Sequence, residues 1–141
     1  MVDDHLVILH EAVFLFFLEV FLLNHRRIGS SLDVSINRMP GTICQEIDSI
    51  TVANIYNVKI INKTSEMKRV SFKLMDVKGA LQFTNDITTL EGDKAAESVL
   101  MIQLPKEALR SRSTDLKIGV YENNELVTVN TINFICPQKT K

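Results

Sequence analysis

The chain reads as an all-β protein, an antiparallel β-sandwich preceded by one apolar amino-terminal helix. Three observations carry this reading. Apolar residues crowd into residues 6–23, they alternate with polar ones in short runs after Ser31, and turn-forming residues separate those runs. The 141 residues suffice for one modest core, and 16 basic against 17 acidic side chains leave a net charge of -1. A near-neutral chain has no field to attract a polyanion, so nucleic acid is not an expected partner.

Leu6 to Leu23 is interrupted only by His10, Glu11 and Glu19, and four of the seven phenylalanines (Phe14, Phe16, Phe17, Phe21) fall within it. As a helix it would span about 27 Å, enough for a thin bilayer core. Each ionised carboxylate near its middle would cost about 2.5 to 3.5 kcal/mol on insertion. Glu11 and Glu19 lie about 80° apart on the helical wheel, so both can face a neighbouring helix instead of lipid. A signal peptide fits less well, because Asp3 and Asp4 stand where basic residues belong and no small-x-small cleavage site follows. The reading adopted is a membrane anchor over residues 1–27, and the alternative is a soluble helix buried against the domain. Arg26 and Arg27 would place the following domain in the cytoplasm by the positive-inside rule.

The second domain, residues 28–141, begins where the period changes. Leu32, Val34 and Ile36 alternate with polar residues until Met39-Pro40-Gly41 breaks the ladder. Tyr56, Val58 and Ile60 form a second strand that ends at Asn62-Lys63-Thr64-Ser65, and Val70, Phe72 and Leu74 form a third. Short strands follow at Leu81 to Phe83 and Ile87 to Leu90, then Leu100, Ile102 and Leu104 run to Pro105. Lys106 to Thr114 is polar enough for a loop with at most one helical turn around Glu107 to Arg110. The final pair is Leu116 to Glu122 and Leu126 to Ile135, joined by Asn123-Asn124, which suits a two-residue hairpin because asparagine tolerates positive φ. The apolar phase shifts between Val127/Val129 and Ile132/Phe134, which predicts a β-bulge near Asn130. Six to eight strands so spaced, with no long helix between them, indicate an immunoglobulin-like sandwich. An antibody-type domain is excluded, since tryptophan is absent and Cys44 and Cys136 stand 92 residues apart.

Catalytic patterns are missing. His10-Glu11 is followed by Phe14 where a zinc protease needs its second histidine, five scattered glycines build no phosphate loop, and no Cys-x-x-Cys exists. All three histidines precede the sandwich, so it has no Ser-His-Asp triad. Met39 and Cys44 flank the turn with soft sulfur ligands suited to Cu(I), with Cys136 as a third candidate, although two sulfurs five residues apart are more often packing residues. Cys44 and Cys136 allow either a disulfide closing the long loop or two separate buried thiols. Asn62-Lys63-Thr64 is a glycosylation sequon that serves equally well as a strand-end turn.

Arg38-Met39-Pro40-Gly41-Thr42, then Gln45, then a strand carrying Asn54, Tyr56, Lys59, Asn62, Lys63 and Thr64, resembles the carboxy-terminal part of the CcoG/FixG/RdxA family of cytochrome c oxidase accessory proteins. The order of apolar helix, linker, turn and strand matches across nearly the whole chain. The resemblance implies a bacterial inner-membrane protein that assists assembly of cbb-type oxidases, with this sandwich on the periplasmic side, against the vote of Arg26 and Arg27. It implies iron-sulfur clusters only in a ferredoxin-like part that this chain lacks, hence no cofactor here. The expected role is a non-catalytic interaction domain holding an oxidase subunit or assembly factor. The turn from Arg38 to Gln45 and the loop from Lys106 to Thr114 are its candidate surfaces, and copper binding through Met39 and Cys44 is the rival. Cys44 stands where the family usually has an aromatic residue, and Cys136 where a small one is common.

Overall fold

The structure is a computed structural model that describes residues 4–25 and 30–137, and the chain divides into two compact units between Ser30 and Ser31. Asp3, Arg26 and Arg27, on which the leader and orientation arguments drew, lie outside the described residues. In the first unit, α1 runs Asp4–His25, and its apolar side chains from Leu6 to Leu22 are exposed around the helix.

Among the described residues the second unit holds nine strands: β1 (Leu32–Arg38), β2 (Gln45–Glu46), β3 (Thr51–Asn62), β4 (Lys68–Leu74), β5 (Ala80–Phe83), β6 (Thr89–Leu90), β7 (Ala95–Pro105), β8 (Ser113–Glu122) and β9 (Glu125–Ile135). One sheet has the order β1-β3-β7-β5, with β2 also on β3, and the other has β6-β4-β8-β9. All pairings are antiparallel. Apart from the short β2 and β6, this is the four-on-three arrangement of constant-type immunoglobulin domains.

Alternation along the strands builds the core. Tyr56, Val58 and Ile60 of β3, Leu100, Ile102 and Leu104 of β7, and Leu116, Ile118 and Val120 of β8 are all buried between the sheets. Each such side chain contributes about 1.5–3 kcal/mol on burial. The elements are often longer than periodicity suggests. β3 begins at Thr51 because Ala53 and Asn54 are also buried, and β7 begins at Ala95, where the small Ala96 and the hydrogen-bonded Ser98 occupy inward positions. Conversely, only Thr89–Leu90 of the expected strand from Ile87 pairs, although Ile87 itself is buried in the preceding loop. The expected helical turn is a 3₁₀ turn at Lys106–Ala108.

Asn123 and Asn124 adopt φ of 49° and 68° in a two-residue turn, with Glu122 paired to Glu125. The β-bulge lies elsewhere than expected. Val120 pairs with Thr128 and Tyr121 with Leu126, so Val127 is the extra residue and Asn130 pairs regularly with Ile118. Periodicity misplaced it because Val129 looks like an inward residue. Val129 is 41% exposed, while Asn130 donates through Nδ2 to the Val34 carbonyl at 3.0 Å.

Candidate functional site

β1 and β9 are edges of different sheets, and side-chain links from β9 to β1 and β3, with a disulfide from the turn after β1, close the seam on that side. Beside the Asn130 bond to Val34, the Tyr56 hydroxyl donates to the Asn133 carbonyl at 2.9 Å and Asn54 Nδ2 to the Ile135 carbonyl at 3.0 Å. Cys44 and Cys136 are joined by a disulfide with Cα atoms 5.0 Å apart. The alternative of two separate thiols is therefore corrected. Spacing alone could not decide it, since the pairing depends on β1 and β9 lying side by side. In a disulfide neither sulfur is the thiolate through which a cysteine binds Cu(I), so Cys44 and Cys136 are withdrawn from the copper rival.

The polar residues of the signature strand are structural at three inward positions. Asn54 and Tyr56 bridge to β9 as described, and burial pushes the Tyr56 phenol up to about 12. Asn62 is buried and its Nδ2 donates to the carbonyls of Glu66 at 2.7 Å and Glu91 at 3.1 Å. Its Oδ1 accepts the Thr64 amide at 3.0 Å and the Thr64 hydroxyl at 2.8 Å. An amide so enclosed organises the turn around Lys63 and is closed to a glycan. Lys59 and Lys63 are exposed and pair with Glu97 at 3.0 Å and Asp33 at 3.6 Å. Pairs this exposed contribute little to stability.

Arg38 ends β1 opposite Tyr56 and is exposed. The turn then leaves the sheet. The Met39 amide donates to the Ile55 carbonyl at 2.9 Å, and the Met39 carbonyl accepts the Thr42 hydroxyl at 2.7 Å. Pro40 and Gly41 form the exposed apex, with Gly41 at φ +75°. Cys44 turns inward to its partner, and Gln45 rejoins the sheet opposite Ala53. Next, Ile50 and Thr51 donate their amides to Asp48 Oδ1 at 2.9 and 2.8 Å. The Ile50 amide is the main cause holding that carboxyl below its ordinary value.

The second candidate surface meets the first at this end of the sandwich. The Lys106 amide donates to the Ile50 carbonyl at 2.7 Å and its Nζ lies 3.5 Å from Glu46 Oε1. The Cys136 amide donates to the Arg112 carbonyl at 3.0 Å. The two stretches, about 60 residues apart in sequence, thus form one tip braced by the disulfide. Sequence reasoning missed its apolar part. Ile43, Ile47 and Ile50 are 74%, 47% and 69% exposed, and the available signal was isoleucine sitting inside turn segments that need no core residue. Among the described residues, no group of three or more His, Cys, Asp or Glu side chains is placed to hold a metal ion.

Two packed antiparallel sheets in this order, closed by a seam and bearing loops at one end, define an immunoglobulin-like sandwich domain. The family profile of the "IG-like fold at C-terminal of FixG" matches residues 23–137, and the chain belongs to that family. The crystal structure of a FixG-related protein from Vibrio parahaemolyticus superimposes with a TM-score of 0.62 at 17% identity, covering 77% of this chain and 98% of that one. That likeness shows the shared fold. No curated protein matches the chain.

Proposed function

We propose that residues 6–23 anchor the chain in a bacterial inner membrane and that the sandwich, from residue 28, is a non-catalytic docking domain on the periplasmic side. There it holds a protein partner during assembly of a cbb-type cytochrome c oxidase. The observation that carries the reading is the Cys44–Cys136 disulfide, because such bridges persist in oxidising compartments and are rare in the cytosol. Family membership supports the oxidase context. Over His5–Leu22 the helix is long and apolar enough to cross a membrane.

The docking surface in this reading is the tip formed by residues 39–50 and 105–113. It combines exposed isoleucines with backbone held by the disulfide, the Asp48 turn and the Lys106 contacts, so little loop ordering is lost on binding. The test is a triple variant, Ile43→Asp with Ile47→Asp and Ile50→Asp, in cells that make a cbb-type oxidase from this assembly system. Assembled oxidase should fall severalfold while the thermal midpoint of the domain stays unchanged. Unchanged oxidase levels would remove the tip as the docking surface. A carboxy-terminal alkaline phosphatase fusion inactive in intact cells would remove the periplasmic placement.

A further inference from the structure

Resting on the membrane reading above, we infer that α1 presents a carboxylate-bearing face to a second membrane helix of another polypeptide carrying two Arg or Lys side chains. Viewed down the helix, Glu11 and Glu19 lie about 40° to either side of Leu15, because four residues advance about 400°. Ile8 and Leu22 fall within about 20° of Leu15, so two acids and three aliphatic residues share one stripe. Phe14, Phe16, Phe17 and Phe21 all lie about 100° or more from Leu15. All of these side chains are exposed on the helix.

The segregation separates two solvents. Phenylalanine rings are at home against acyl chains, whereas an ionised carboxylate in lipid has no hydrogen-bond partner and demands a counter-charge or a protein neighbour. Glu11 is the deeper acid, about 9 Å from the His5 end of the apolar span, and Glu19 lies about 5 Å from its other end. His10 belongs to the aromatic side and sits about 8 Å from the same end as His5, within reach of the interface. A helix with basic side chains about eight residues apart would match both acids at once, and aliphatic packing around Leu15 would bring the backbones into register.

The full chain in phosphatidylcholine vesicles, donor-labelled, is titrated with an acceptor-labelled Leu/Ala membrane peptide carrying two arginines eight residues apart. Energy transfer should saturate. Glu11→Leu with Glu19→Leu should weaken association about tenfold, with Glu11→Leu alone giving most of the loss, and Phe14→Leu with Phe17→Leu should leave it unchanged. Both leucine replacements favour insertion, so loss of binding cannot come from loss of the membrane. Equal affinity of the wild-type and double-variant chains, or equal binding of a peptide without arginine, overturns the inference while the membrane reading stands. Transfer between two copies of the chain that needs no peptide and vanishes in the glutamate variants overturns it in favour of self-association. Failure of the wild-type chain to float with the vesicles overturns the membrane reading itself, and the inference with it.

Discussion

The Cys44–Cys136 bridge closes a loop of 92 residues, nearly the whole sandwich, and its removal is the sharpest test of how the domain is held together. In the chain-entropy picture a loop of that length restricts the unfolded state by about 4.6 kcal/mol, and loss of a native bridge costs about 2–5 kcal/mol in practice. For a domain of about 110 residues, the unfolding entropy near 2.1 cal/mol/K per residue turns 4.6 kcal/mol into a fall of about 20 °C in the thermal midpoint. The double variant Cys44→Ala with Cys136→Ala isolates this effect, because both sulfurs border the apolar core and alanine leaves no buried polar atom behind. Urea unfolding of wild-type protein, of wild-type protein with dithiothreitol, and of the variant should give one high and two matching low midpoints. The domain should remain folded in all three, since β1 and β2 stay zipped to β3 by backbone pairing. A stability difference below about 1 kcal/mol would refute the bridge as a constraint on the unfolded chain.

Four further outcomes follow from particular positions. Asn62→Ala strips partners from the Glu66 and Glu91 carbonyls and the Thr64 amide, and should cost about 2–4 kcal/mol in urea unfolding. Gly92→Ala should cost about 3 kcal/mol or more, because a β-carbon there would lie 2.0 Å from the Ser65 carbonyl oxygen. Gly41→Ala meets no atom within 4 Å and should lose only about 1 kcal/mol to its φ of +75°. In a Tyr121→Phe background, absorbance at the phenolate band should show Tyr56 titrating near 12 rather than 10. Burial favours the neutral phenol, so its contribution is complete below pH 10 and is lost as pH rises through 12, a drop of about 2–3 kcal/mol. A titration near 10 would show the hydroxyl to be open to water.

The alternating runs at Leu32 to Ile36, Tyr56 to Ile60 and Leu116 to Val120 made the sandwich legible, because a strand buried on one face must put an apolar residue at every second position. The Asn123-Asn124 turn was legible for a local reason too, its tolerance of positive φ. Beyond local pattern the reading weakened. Ser98 and Asn130 look like surface residues, yet each points inward, the Ser98 hydroxyl donating to the Asn85 carbonyl and Asn130 Nδ2 to the Val34 carbonyl. Asn54, Tyr56 and Asn62 stood out as a motif, but their work, bonding carbonyls 29 to 81 residues away or organising the Lys63 turn, needs the other sheet in place.

What the amino-acid order fixed by itself was the class of fold, the apolar leader and the poverty of catalytic groups, since each follows from residue type and near-neighbour spacing. Only the tertiary structure decided that Cys44 meets Cys136, that the bulge falls at Val127, and that the turn after Arg38 shares one tip with the loop after Pro105. Those outcomes depend on which sheet edges come to lie side by side, and residues far apart in the chain become neighbours only when the whole core closes.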